Sequence, residues 1–111
     1  MKKITLLCAF LLTLCANSVF AASDLTVYNT WFSDVRVKEG KYWPKESILP
    51  PGGNVTWNML TGKVEQVSIS YKVGGVWQII PGCPNGSFNY GLRVAVESAS
   101  WNPAIPVCRM L

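Results

Sequence analysis

The chain has no histidine. That absence removes the usual general base of serine and cysteine nucleophiles, and with it the most frequent zinc ligand. Acidic residues are also scarce: Asp24, Asp34, Glu39, Glu46, Glu65 and Glu97 are the six in 111 residues. They form no D-x-D-x-D run that would hold calcium. Their spacing selects no pair for two-carboxylate glycoside hydrolysis. There is no Cys-x-x-Cys redox motif, no internal repeat and no low-complexity tract. Ser70 and Lys72 lie two apart in an alternating run and read as neighbours on a polar sheet face, not as a catalytic pair. The sequence therefore nominates no catalytic residue, no metal ligand and no cofactor, and a non-enzymatic role is expected.

Long apolar runs are missing too, with one exception. Ile4 to Ala16 is apolar over about 13 residues, too short to cross a bilayer comfortably. Lys2 and Lys3 precede it, and Val19-Phe20-Ala21 supplies the residues of a cleavage site, so residues 1–21 read as a secretory signal. Lipoprotein processing at Cys8 or Cys15 is disfavoured, because Leu7 and Leu14 stand where a small residue is needed. The expected working chain is residues 22–111, one domain in a secreted or periplasmic setting.

Removing the signal changes two balances. Loss of Lys2 and Lys3 leaves eight basic residues against six acidic, so the formal charge falls from +4 to +2. The eight are dispersed, and nucleic acid is not an expected partner. The four cysteines fall to two, Cys83 and Cys108. An oxidising compartment favours a bridge between them. Closing that loop contributes roughly 3 kcal/mol on the chain-entropy model.

What remains reads as strands. Lys63 to Pro81 contains two β-rich runs around Gly74-Gly75, the sequence of a two-residue primed turn. This register sets Val73 opposite Val76, Lys72 opposite Trp77, Tyr71 opposite Gln78 and Ser70 opposite Ile79. Ile69, Tyr71, Val73, Val76 and Ile80 make the better core face; Ser68, Ser70, Lys72, Trp77 and Ile79 make the other. Leu25–Tyr28 is a short strand. Val35 and Val37 alternate with charged residues, the pattern of a half-buried strand. Lys41–Glu46, interrupted by Pro44, reads as a loop or edge segment. Pro50-Pro51-Gly52-Gly53 is a turn. Asn54–Leu60 is the next strand, with Val55, Trp57 and Met59 on one face and Thr56, Asn58 and Leu60 on the other. After the turn-forming run 82–87, Phe88–Glu97 reads as one long strand, with Leu92, Val94 and Val96 inward. Val107–Arg109 adds a short edge pairing. Six or seven strands with turn-rich connections imply an all-β fold, a small antiparallel β-sandwich or open barrel with one disulfide.

The surplus lies in aromatics. Five tryptophans, at positions 31, 43, 57, 77 and 101, exceed what so small a core can enclose. Trp57 belongs to the core by its alternation, while Trp31 and Trp101 are open between core and surface. Tyr42, Trp43, Lys72, Trp77 and Gln78 are the candidate binding residues. Aromatics beside lysine suit protein interfaces, so the leading expectation is a binding domain for a protein partner, in the manner of an inhibitor of an extracellular hydrolase. A glycan partner requires coplanar exposed rings, such as Tyr42, Trp43 and Trp77 with Gln78. A membrane surface is the third class, since Trp, Tyr and Lys also suit bilayer interfaces.

Overall fold

The computed structural model describes residues 24–111; the expected signal, residues 1–21, lies outside the described residues. Nine strands follow in order: β1 Asp24–Asn29, β2 Val35–Glu39, β3 Lys45–Leu49, β4 Asn54–Asn58, β5 Val64–Val73, β6 Val76–Ile79, β7 Gly86–Phe88, β8 Leu92–Ser98 and β9 Pro106–Met110. Two sheets pack face to face. One has the order β4-β1-β8-β9, the other β3-β2-β5-β6, with β7 also paired to β5. The fold is the all-β sandwich expected, with nine strands among the described residues where six or seven were expected, because short β3 and β7 pair where loop was expected. All pairings among the described residues are antiparallel except β1 with β8.

Period-two alternation decides which side chains meet between the sheets. Leu25, Val27, Leu92, Val94 and Val96 come from one sheet and Val35, Val37, Ile69 and Ile80 from the other, all buried in one core cluster. Each such side chain, fully enclosed, contributes about 1.5–3 kcal/mol of transfer free energy. Val55, Trp57, Tyr71 and Phe88 pack on the cluster from its margins.

The hairpin register is the one expected, from Ser70↔Ile79 to Val73↔Val76. Gly74 and Gly75 take φ of +58° and +82°, which the primed turn demands and which side chains resist. Val73 and Val76, expected on the core face, are exposed. They do sit on that face, but the turn overhangs the end of the core.

Two expected boundaries also move. The long strand Phe88–Glu97 is divided, because Phe88 closes β7 and the chain bends at Asn89–Gly91 before β8 begins. The run 82–87, expected as loop throughout, gives up Gly86 and Ser87 to β7. As a result β6 and β7 lie along the same edge of β5, and the excursion between them carries Cys83 across to the other sheet. Cys83 bonds Cys108 on β9 with Cα atoms 5.1 Å apart. On the opposite side the turn from Pro50 to Gly53 joins β3 of one sheet to β4 of the other.

Asn29 locks that second crossing. It is fully buried, and its Nδ2 donates to the carbonyls of Ser33 at 2.8 Å and Leu49 at 2.9 Å. Its Oδ1 accepts the Trp31 N–H at 3.0 Å. Its backbone N–H donates to the Gly53 carbonyl, and its carbonyl accepts from Gly52. Trp31 is therefore a core residue: it is 4 % exposed, and its Nε1 donates to the Pro103 carbonyl at 3.0 Å. Trp101 is exposed.

Candidate functional site

The strand directions send the β2–β3, β4–β5 and β7–β8 connections to one end of the sandwich. There Tyr42, Trp43 and Leu60 are 78 %, 92 % and 98 % exposed. Large apolar side chains left this open on adjoining loops each forgo their burial energy, which makes this end the candidate site. Lys41, Lys45 and Lys63 share the cleft between the two loops with these three residues. The Lys41 ammonium lies 5.4 Å from the Tyr42 ring centroid, within cation–π range.

The loop is built from its first residue. Gly40 has φ of +112°, and a Cβ there would lie 3.2 Å from the Trp43 carbonyl oxygen and 3.3 Å from Pro44 Cα. Only glycine closes this turn without moving the chain under Trp43. Its N–H donates to the Glu65 carbonyl at 2.7 Å. In return the buried Glu39 carboxylate accepts the Glu65 N–H at 3.0 Å. That contact fixes the start of an irregular stretch of β5, where the register with β7 shifts between Val64 and Val67. Gln66 sits in the irregularity with φ of +53°, and its N–H donates to Ser87 Oγ at 3.3 Å.

The loop 40–44 stands as a ridge among three clefts of about 270, 360 and 300 Å³. Lys41 borders all three and Tyr42 two of them. Gln66 borders two of them.

The remaining candidates lie elsewhere. Lys72, Trp77 and Gln78 belong to the β5–β6 hairpin, whose turn points to the opposite end. Trp77 is half-buried on the outer face of its sheet, with the Arg36 guanidinium 4.9 Å and the Lys72 ammonium 5.4 Å from its ring centroid. Gln78 registers with Tyr71 and so faces the other way. The coplanar set that the glycan reading required from Tyr42, Trp43, Trp77 and Gln78 does not assemble. Two strand directions separate the first pair from the second, and the pleat separates Trp77 from Gln78.

Leu60, expected to end the strand from Asn54, lies beyond it in the turn, because β4 stops at Asn58; its part in a site escaped sequence reasoning. A single exposed leucine after a strand is ordinary, and only its position across a cleft from Trp43 makes it informative. Comparison with protein-family models, with curated proteins and with solved structures finds no match. The functional reading accordingly rests on the geometry.

Proposed function

We propose that the protein is an exported, non-catalytic binding domain that seats Tyr42 and Trp43 of the ridge, with Leu60 across the cleft, in a concave surface of a protein partner, as an inhibitor seats its loops in a hydrolase. The exposure of these three side chains on adjoining loops carries the proposal. Truncating a central aromatic anchor of a protein interface costs about 2 kcal/mol or more, which is roughly thirtyfold in affinity. Lys41, Lys45 and Lys63 outnumber Glu39 and Glu65 in the same cleft, a modest excess that favours a partner with acidic groups and adds a salt-dependent on-rate. A corrugated surface with three concavities flanking a ridge suits the knobs and hollows of a protein better than a bilayer, which offers neither. The Cys83–Cys108 bond at bonding distance suits the oxidising compartment that export implies.

The experiment is affinity capture from the extracellular fraction with the protein as cells export it, its N terminus read by mass spectrometry. Ala22 is the expected first residue, and an intact Met1 would remove export from the reading. A partner held by the wild type and weakened at least thirtyfold by Trp43→Ala with Leu60→Ala supports the proposal. The pair should leave unfolding unchanged, because neither side chain is packed. Equal capture by the double variant overturns the ridge as the contact. Trp43-dependent flotation with anionic vesicles, without a protein partner, transfers the ridge to a membrane role.

A further inference from the structure

The four-stranded sheet turns a second concavity away from the core, independent of the ridge. It encloses about 540 Å³, more than any cleft at the ridge and within the range of small-molecule sites, about 300–1,000 Å³. Its floor is one row across three strands: Thr56 on β4 registers with Thr26 on β1, and Thr26 with Arg93 on β8. The two threonine hydroxyls are 3.2 Å apart and hydrogen-bonded. Tyr28, two residues along β1, lines one side. Tyr90, from the β7–β8 connection, lines the cleft too, and its ring meets Phe88 edge-on at 5.8 Å. Asp24 is also in the lining.

Two observations separate this surface from an ordinary wet sheet face. Thr26 is only 5 % exposed, although it points away from the core and no described strand covers it. Arg93 has no ion-pair partner among the described residues, whereas Arg36 and Arg109 each meet a glutamate.

We propose that this cleft binds a pyranose unit of a neutral glycan. A sugar ring presents an apolar C–H face and a rim of hydroxyls that both donate and accept. Tyr28 and Tyr90 offer aromatic surface to the face. Threonine hydroxyls match single hydroxyls in either sense, while the Asp24 carboxylate and Arg93 guanidinium, each planar and bidentate, match vicinal diols. An anionic ligand would gain Arg93 but meet Asp24. An apolar ligand would find no aliphatic wall, because the lining is hydroxyl, charged and tyrosyl.

The test is amide chemical-shift mapping of the exported protein titrated with neutral trisaccharides of glucose, mannose and N-acetylglucosamine, with inorganic phosphate as the anionic probe. Saturable shifts from one of the sugars at Thr26, Thr56, Gly91 and Arg93 are expected. Tyr28→Ala and Arg93→Ala should each weaken that binding at least tenfold, with Tyr28→Phe, which keeps the ring, losing only a few-fold. Trp43→Ala should leave it unchanged, which keeps this result separate from the fate of the ridge. Absence of saturation by any sugar, shifts confined to the 40–44 loop, or tighter binding of phosphate would each overturn the assignment.

Discussion

Replacing Asn29 by aspartate changes almost no volume yet removes both N–H donors that hold two loops together. The Oδ1 bond from Trp31 survives, but an oxygen now faces the Ser33 and Leu49 carbonyls at 2.8 and 2.9 Å. If the new carboxyl ionises, it is a fully buried charge without a cation, which costs several kcal/mol. If it stays protonated, its one O–H serves one carbonyl, and the other goes unpaired at about 1–3 kcal/mol. Keeping that proton at pH 7 against an ordinary aspartate pKa near 3.9 costs a further ~4 kcal/mol. The protonated route therefore sets the deficit at about 6 kcal/mol, a large share of the ~5–15 kcal/mol typical of a domain. The sign with pH follows: the introduced carboxyl binds its proton more tightly folded than unfolded, so the penalty grows as pH rises above about 4, is large at pH 7 and shrinks as pH falls toward 4. At pH 4 about 2 kcal/mol should remain. Urea unfolding followed by tryptophan fluorescence, as the difference between variant and wild type at each pH, measures both values. A deficit below about 1 kcal/mol at pH 7, or an equal deficit at both pH values, would refute the account of Asn29 as a double donor.

Two further outcomes concern the frame around the ridge. Replacing both Cys83 and Cys108 by alanine should cost roughly 3 kcal/mol and lower the melting temperature by about 15 °C; a change of only a degree or two would mean the sandwich closes without the bond. Gln66→Gly should raise the melting temperature by about 3 °C in calorimetry. It relieves a left-handed backbone that costs side chains about 1–2 kcal/mol, offset by glycine's greater freedom when unfolded, about 0.4–1 kcal/mol. A fall instead would mean that the Gln66 side chain supplies more than it strains.

Much of the scaffold was legible because alternation and turn chemistry are local. Gly74-Gly75 fixed the register of β5 with β6, and the spacing of Val35 with Val37 and of Leu92, Val94 and Val96 named their inward faces correctly. Alternation does not say which strands are neighbours, however, and β1 reads the same whether β8 beside it runs parallel or antiparallel. Nor does it say where the core ends, so Val73 and Val76 look inward in sequence and overhang in space. Trp31 and Trp101 are loop residues with no period to assign them; a hydrogen bond across 72 positions, from Trp31 to Pro103, separates the buried ring from the exposed one. Tyr42 and Trp43 stood out as aromatics beyond what the core needs, while Leu60 became meaningful only once two turns were seen to adjoin. The cleft was half legible. Thr26 and Tyr28 share a face by alternation, but Tyr90 and Arg93 join them through the long-range pairing of β1 with β8.

That parallel pairing also sets an order of events. β1 is a central strand whose neighbours are β4 and β8, so one flank stays open until residues 92–98 exist to fill it. The five-stranded sheet draws on segments between Val35 and Phe88, and its hairpin joins strands separated by two residues. Short loops close at less entropic cost than long ones, and contacts between distant positions form slowly. The first of the described strands is thus among the last to be fully paired, and until then the backbone of Leu25 to Val27 presents an unfinished sheet edge to whatever surrounds the emerging chain.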